Sequence, residues 1–254
     1  MSEPVQNKLL PRDLYINLLL KSVSNLIYGP LSSAPQSGDR FKRPVKAEKD
    51  WESPAHTMVG VLRLANLRQL MQQTLRQGIP GDFIETGVWR GGCCILMRGI
   101  LAANRVTDRK VFVADSFAGL PPPDPDRFPQ DMGLALHTIP ELAVSCDEVK
   151  ANFARYGLLD DQVVFIEGFF SDTLPKLEAG PFALIRLDGD MYESTYVALE
   201  NLYPKLSTGG FVIIDDYGAV RQCQQAVADY RQKMGIVDDI HRIDWTGVYW
   251  RKSG

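Results

Sequence analysis

Past Gly81 the chain repeats one unit: a short apolar run, then a stretch with helical spacing. The apolar runs are Asp82–Thr86, Val111–Asp115, Val163–Glu167, Phe182–Leu187 and 210–214, each too short for a helix of ordinary length. Helical spacing fills 91–104, 140–156, 193–206 and 219–234. Strands of this kind are apolar on both sides, so they need helices over both faces of a parallel sheet. The pattern predicts a doubly wound, mostly parallel α/β fold. Ile240–Ile243 and 247–251 flank Asp244, Trp245 and Thr246, and predict a C-terminal antiparallel hairpin at one edge.

Two segments stand outside this rhythm. Before it, Pro11 and Asp13 open a leader, LYINLLLKSVSNLIYG, whose apolar residues cover too much of the circumference for a simple surface helix. Such a leader packs on its own domain or on a second subunit, and in the second case it would join a homo-oligomer, dimer or tetramer. A polar loop follows from Pro30 to Pro54 with an aromatic anchor at Trp51, and a helix then runs over Thr57–Gln77, stopped by Gly78 and Pro80. Residues 1–80 are thus expected to form a helical extension with a mobile loop. Residues 81–254 form the core of one compact domain. Within the core, Leu120–Pro140 is proline-rich, follows a strand end, and is expected to be a structureless lid.

Composition narrows the class. A chain of 254 residues, 45% hydrophobic and 23% charged, can bury a full core. With a net charge of −3 it offers no basic field for nucleic acid. Cys93, Cys94, Cys146 and Cys223 lack C-x-x-C spacing and read as reduced packing residues. No apolar run is long enough to span a bilayer, and MSEPVQNKLL lacks the order of a secretion signal, so the cytoplasm is the expected address.

The chemistry-bearing residues gather at predicted strand ends. In FIETGVWRGG, Glu85 closes the first strand, and Gly87 and Gly91 let the backbone turn sharply beside a ligand. The spacing is not G-x-G-x-x-G, so no pyrophosphate cradle is indicated. An acid at this turn suits a cationic cofactor with an amino group, such as S-adenosylmethionine. Asp115 closes the second strand, where an acid can accept from a ribose diol or cap its own turn. Glu167-Gly168-Phe169-Phe170 closes the third, and its rings could flank an adenine or fill core. Asp188-Gly189-Asp190 and Asp215-Asp216 close the fourth and fifth. So many carboxylates at one sheet edge repel unless a cation joins them, and all-oxygen ligation selects a hard divalent ion, usually magnesium. Helix capping explains Asp190 and Asp216 but not the whole set. His56 and His241 read as structural. His137, in the lid, is either a solvated loop histidine or a proton acceptor on closure.

HTMVGVLRLANL, GDFIETGVWRGG, VADSFAGLPPPDPDRFP, ELAVSCDEVKANFARYGLLDDQV, RLDGDMYESTYVALENLYPKL and GGFVIIDDYGAV together resemble the macrocin O-methyltransferase family, from about Asp13 to Trp250. The resemblance implies S-adenosylmethionine- and magnesium-dependent methyl transfer to a deoxysugar hydroxyl of a glycosylated natural product, by an oligomer with a class I methyltransferase fold. It places metal ligands at Asp188, Asp215 and Asp216, with Asp188 also as general base. Its cofactor contacts fall on Thr57, Met58, Glu85, Thr86, Gly87, Val88, Trp89, Asp115, Ser116, Phe117, Ala118, Gly119, Ser145, Gly168 and Phe169. The lid stretch LALHTIP departs from the family's more polar pattern, with Thr138 rather than an acid after His137. A catechol-type metal-dependent O-methyltransferase is the nearest alternative. A glycosyltransferase using Asp188-Gly189-Asp190 as a D-x-D motif would leave Glu85, Gly87 and Gly91 unexplained.

Overall fold

The computed structural model describes residues 10–28 and 53–254. Its elements are α1 (Pro11–Val23), α2 (Val61–Arg76), β1 (Asp82–Thr86), α3 (Gly92–Ala103), β2 (Val111–Asp115), α4 (Cys146–Arg155), β3 (Val163–Glu167), α5 (Phe170–Thr173), β4 (Phe182–Leu187), α6 (Tyr192–Leu202), β5 (Leu206–Ile214), α7 (Arg221–Met234), β6 (His241–Arg242) and β7 (Val248–Arg251). The strands form one sheet in the order β3-β2-β1-β4-β5-β7-β6. The first five are parallel, and β7 runs antiparallel to both β5 and β6. The predicted hairpin is present, with β7 inserted against β5 and β6 on the outside.

Alternation along each strand divides the core in two. Phe83, Val111, Val113 and Phe211 face one way, under α1, α2, α3 and α4. Ile84, Phe112, Ala114, Val212 and Ile214 face the other, under α6 and α7. The leader is therefore a packed helix: Ile16, Leu19, Leu20 and Val23 are buried in the same core as Leu64 of α2 and Leu96 of α3. All four cysteines are free and buried, as their spacing suggested.

The boundaries that differ do so for local reasons. The helix expected from Thr57 begins at Val61, because Thr57 Oγ1 accepts from the Val59 N–H at 3.0 Å and holds a turn there. The helix expected from Pro140 begins at Cys146, where Ser145 supplies the side-chain cap to the Glu148 N–H at 3.2 Å. The fifth strand is longer than its apolar run, starting at Leu206. Leu120–Pro140 is not structureless, since short 3₁₀ turns occupy Pro129–Asp131 and Leu136–Thr138 and a third spans Pro140–Leu142. The expected loop Pro30–Pro54 and its anchor Trp51 fall almost wholly outside the described residues.

Candidate active site

In a sheet of this order the crossovers leave in opposite directions from β1 and β4, and a crevice opens at their carboxyl ends. The loops there are stitched by backbone bonds: the Gly87 N–H donates to Ala114 O at 2.9 Å, the Asp188 N–H to Thr86 O at 2.9 Å, and the Asp215 N–H to Leu187 O at 2.9 Å. Gly87 is required. Its φ is +82°, and a Cβ would lie 1.8 Å from the Asp188 carbonyl oxygen. Three non-glycine residues with positive φ, Trp89, Phe117 and Asp190, sit on these same loops. Strained backbone concentrates where geometry serves a ligand.

The cavity in this crevice is walled on one side by Met58, Gly87, Trp89, Asp115, Ser116, Gly119 and Phe169, and on the other by Asp188, Gly189, Asp190, Glu193, Ser194 and Val197. Leu120, Pro121, Leu142, Phe170 and Ser171 complete it. Among the described residues, no lysine, arginine or histidine lines it.

Asp115 fastens two loops together. One oxygen accepts from the Val88 N–H at 2.7 Å and the other from the Phe117 N–H at 2.8 Å. Burial pushes its pKa up, and these N–H groups pull it back. Trp89 is fixed by its Nε1–H, which donates to Glu141 O at 2.9 Å, and by the Arg90 guanidinium 4.1 Å above its ring. Glu85 takes a different position from the one its place in the motif suggests. It is 1% exposed and lies beneath the wall, accepting from Arg186 Nη1 on one oxygen and from the Cys94 thiol, 2.8 Å away, on the other. Burial raises its pKa to about 7, against the pull of Arg186.

Other expected cofactor residues surround the wall without forming it. Thr57, Thr86, Val88 and Phe117 are buried, with the Phe117 ring against Phe165. Ala118 and Ser145 are exposed, and Gly168 bonds through its N–H to Asp115 O at 2.9 Å. His137 is exposed on the Leu136–Thr138 turn and is not part of the wall.

At the ends of β4 and β5, carboxylate oxygens of Asp188, Asp215 and Asp216 lie within 4.8 Å of one another. Arg186, 2% exposed in the middle of an apolar strand, bonds Asp188 at 2.7 Å as well as Asp215 and Glu85. Arg63 of α2 bonds the other oxygen of Asp215 and, at 3.1 Å, Asp244. Two guanidinium groups thus compensate Asp215. Nothing comparable reaches Asp216, whose Oδ2 is buried without a hydrogen-bond partner among the described residues. Burial, together with Asp190, Asp188 and Asp215, pushes its pKa up. Asp190 is driven to about 7 by burial and by Asp188 and Asp215. Three converging carboxylates, one with an orphaned buried oxygen, fit a hard divalent cation.

Arg186 and Arg63 were not singled out from sequence, although an arginine inside ALIRLDGD signals a buried cation that needs acids around it. Glu193 and Ser194 were also missed as wall residues.

The sequence matches the macrocin-O-methyltransferase (TylF) family over residues 5–252. The chain belongs to that family. It is therefore an O-methyltransferase, as the motifs implied. It is 53% identical over 245 residues, 95% of this chain and 94% of the relative, to 8-demethyl-8-(2,3-dimethoxy-alpha-L-rhamnosyl)-tetracenomycin-C 4'-O-methyltransferase of Streptomyces olivaceus. Demethyldecarbamoylnovobiocin O-methyltransferase of Streptomyces niveus is 46% identical over 245 residues, covering 94% of each chain. Among solved structures, the O-methyltransferase NovP superposes with a TM-score of 0.85 at 44% identity, over 96% of this chain and all (100%) of that one.

Proposed function

We propose that this enzyme transfers a methyl group from S-adenosylmethionine to a hydroxyl of a deoxysugar on a glycosylated natural product, with magnesium held by Asp188, Asp215 and Asp216. The observation that carries the reading is the acid edge itself, with the unpartnered Asp216 oxygen beside a cavity wall of carboxylates and small residues. An acidic wall suits a sulfonium donor and a neutral glycoside, and it disfavours acceptors bearing phosphates. A divalent ion there would supply the charge that lowers the pKa of an acceptor hydroxyl. Arg186 holds Asp188 and Asp215 in place. Asp188 lines the cavity and is the proposed proton acceptor, with Asp190 beside it on the same wall. Met58, Trp89 and Phe169 supply apolar surface for the donor, and Asp115 and Ser116 supply polar contacts. The relative from Streptomyces olivaceus is named for a rhamnosyl glycoside, which makes rhamnosides the first acceptors to try. No observation favours the catechol alternative.

The reading extends to a homo-oligomer assembled through α1, where Leu10, Leu14 and Leu18 are 51%, 54% and 57% exposed along the face away from the core. Light scattering that finds a monomer at micromolar concentration would remove that part.

The test is methyl transfer from labelled S-adenosylmethionine, with and without magnesium, to a panel beginning with a rhamnosyl tetracenomycin and including noviosyl and macrolide glycosides, catechols and nucleotide-sugars. Label in a glycoside only is expected. Label in a catechol or a nucleotide-sugar instead would overturn the reading.

A further inference from the structure

α6 begins without a cap of its own. Its N-cap residue, Met191, makes no side-chain hydrogen bond to the first turn. The two N–H groups that Met191 leaves open are taken by a residue from elsewhere in the chain. Asp131, in the 3₁₀ turn of the proline-rich segment, is 0% exposed, and its two oxygens accept from the Tyr192 N–H at 2.7 Å and the Glu193 N–H at 2.9 Å. The Phe128 ring lies 6.1 Å from that of Tyr192, so the contact has a packed flank as well. A carboxylate at this point also meets the positive end of an 11-residue helix.

The location gives the contact its meaning. The first turns of α6 carry Glu193, Ser194 and Val197, which form the acidic side of the cavity. The proline-rich segment and the turn that ends it, Pro140–Leu142, reach the same cavity on either side of Asp131, through Leu120 and Pro121 before it and Leu142 after it. One side chain therefore ties the segment that covers the cavity to the helix that walls it.

We propose that Asp131 is a positioning residue for the acceptor: by holding the backbone of Tyr192 and Glu193 it fixes both the covering segment and the acidic wall, and it leaves the donor side untouched. The donor side is built on β1, β2 and their loops; it meets the covering stretch at Trp89, whose Nε1–H donates to Glu141 O at 2.9 Å, ten residues beyond Asp131, and among the described residues its hydrogen bonds do not involve Asp131 itself. The acceptor part of this proposal rests on the glycoside reading above, whereas the structural part does not.

The chain offers a direct probe. Between Lys110 and Lys150 there is a single tryptic site, after the exposed Arg127, four residues before Asp131. In Asp131→Ala, nicking at Arg127 is expected to accelerate about tenfold or more, and amide exchange at Tyr192 and Glu193 to quicken. The KM for the rhamnosyl tetracenomycin glycoside should rise about tenfold with kcat falling less, while calorimetry shows S-adenosylhomocysteine affinity within about twofold of the parent. Asp131→Asn keeps one acceptor oxygen and should fall between the two, and it carries the experiment if the alanine variant does not fold. Parental nicking and exchange rates, or equal losses of S-adenosylhomocysteine and acceptor affinity, would overturn the proposal. If no glycoside is methylated but nicking and exchange behave as stated, the function reading fails and the anchoring role stands.

Discussion

The carboxylates at the ends of β1 and β2 and those at the ends of β4 and β5 have the same chemistry and opposite circumstances. Asp115 and Glu85 have a donor on every oxygen, supplied by backbone N–H groups, Arg186 and Cys94. Asp216 has a buried oxygen with no donor, and Asp190 has no hydrogen bond or ion pair among the described residues. A satisfied buried acid is part of the scaffold. An unsatisfied one costs free energy until something binds it, and proteins keep such groups where a ligand will arrive. On the proposed reading, the donor half of the crevice is preformed, and the acid edge is the half that a bound cation would complete.

The sharpest way to break this contrast is at Asp188. Asp188→Asn is expected to lower turnover by ~100-fold or more, because an amide cannot accept a proton, while S-adenosylmethionine affinity stays near normal. Excess chelator should abolish turnover in the parent enzyme. Full activity in chelator, or a near-normal rate for the variant, would place the chemistry elsewhere.

The next effect is thermodynamic and belongs to the scaffold side. Folding raises the pKa of Glu85 from an ordinary 4.5 to about 7, mainly by burial. The folded state then holds the proton more tightly than the unfolded one, so between those values stability falls as pH rises. The total is about 3 kcal/mol. Urea melts of Glu85→Gln from pH 4 to 8 should show a flatter profile than the parent. Parallel profiles would mean that Arg186 keeps Glu85 ionised throughout.

Asp115→Ala unfastens Val88 and Phe117 and is expected to weaken S-adenosylmethionine binding by ~1 to 3 kcal/mol, measured by calorimetry. Unchanged affinity in a folded variant would remove Asp115 from the donor site. The smallest effect is expected at His137: as an exposed residue off the cavity wall, its replacement by alanine should change turnover by less than about twofold.

Four strands were legible to the residue because each is a short apolar run ending in an acid or a polar turn, a signal carried entirely by neighbours in sequence. The acids of the site were legible for the same reason, as they close those runs. What each acid touches was not legible. Glu85 turns to Arg186 across 101 residues, Asp131 reaches the start of α6 across 61, and Arg63 meets Asp215 across 152. Such partnerships are set by which helices and loops the fold lays over a strand end, and hydrophobic periodicity carries no record of them. The expectation of a structureless segment missed Asp131 on the same ground: proline-rich composition marks an irregular backbone, yet says nothing of whether that backbone is anchored.

Asp215 depends on parts of the chain made at very different times. Arg63 belongs to an early helix, and both Asp244, which shares that arginine, and Thr246, whose hydroxyl donates to Asp215 O at 2.9 Å, come from the turn between the last two strands. During synthesis the donor half of the crevice can be completed while the ribosome is still reading later codons, but the acid edge cannot take its final form until residues 244–246 have emerged and paired. A nascent chain therefore has no ordered carboxylate cluster. If the acid edge holds a cation as proposed, that capacity arrives last, with the closing hairpin.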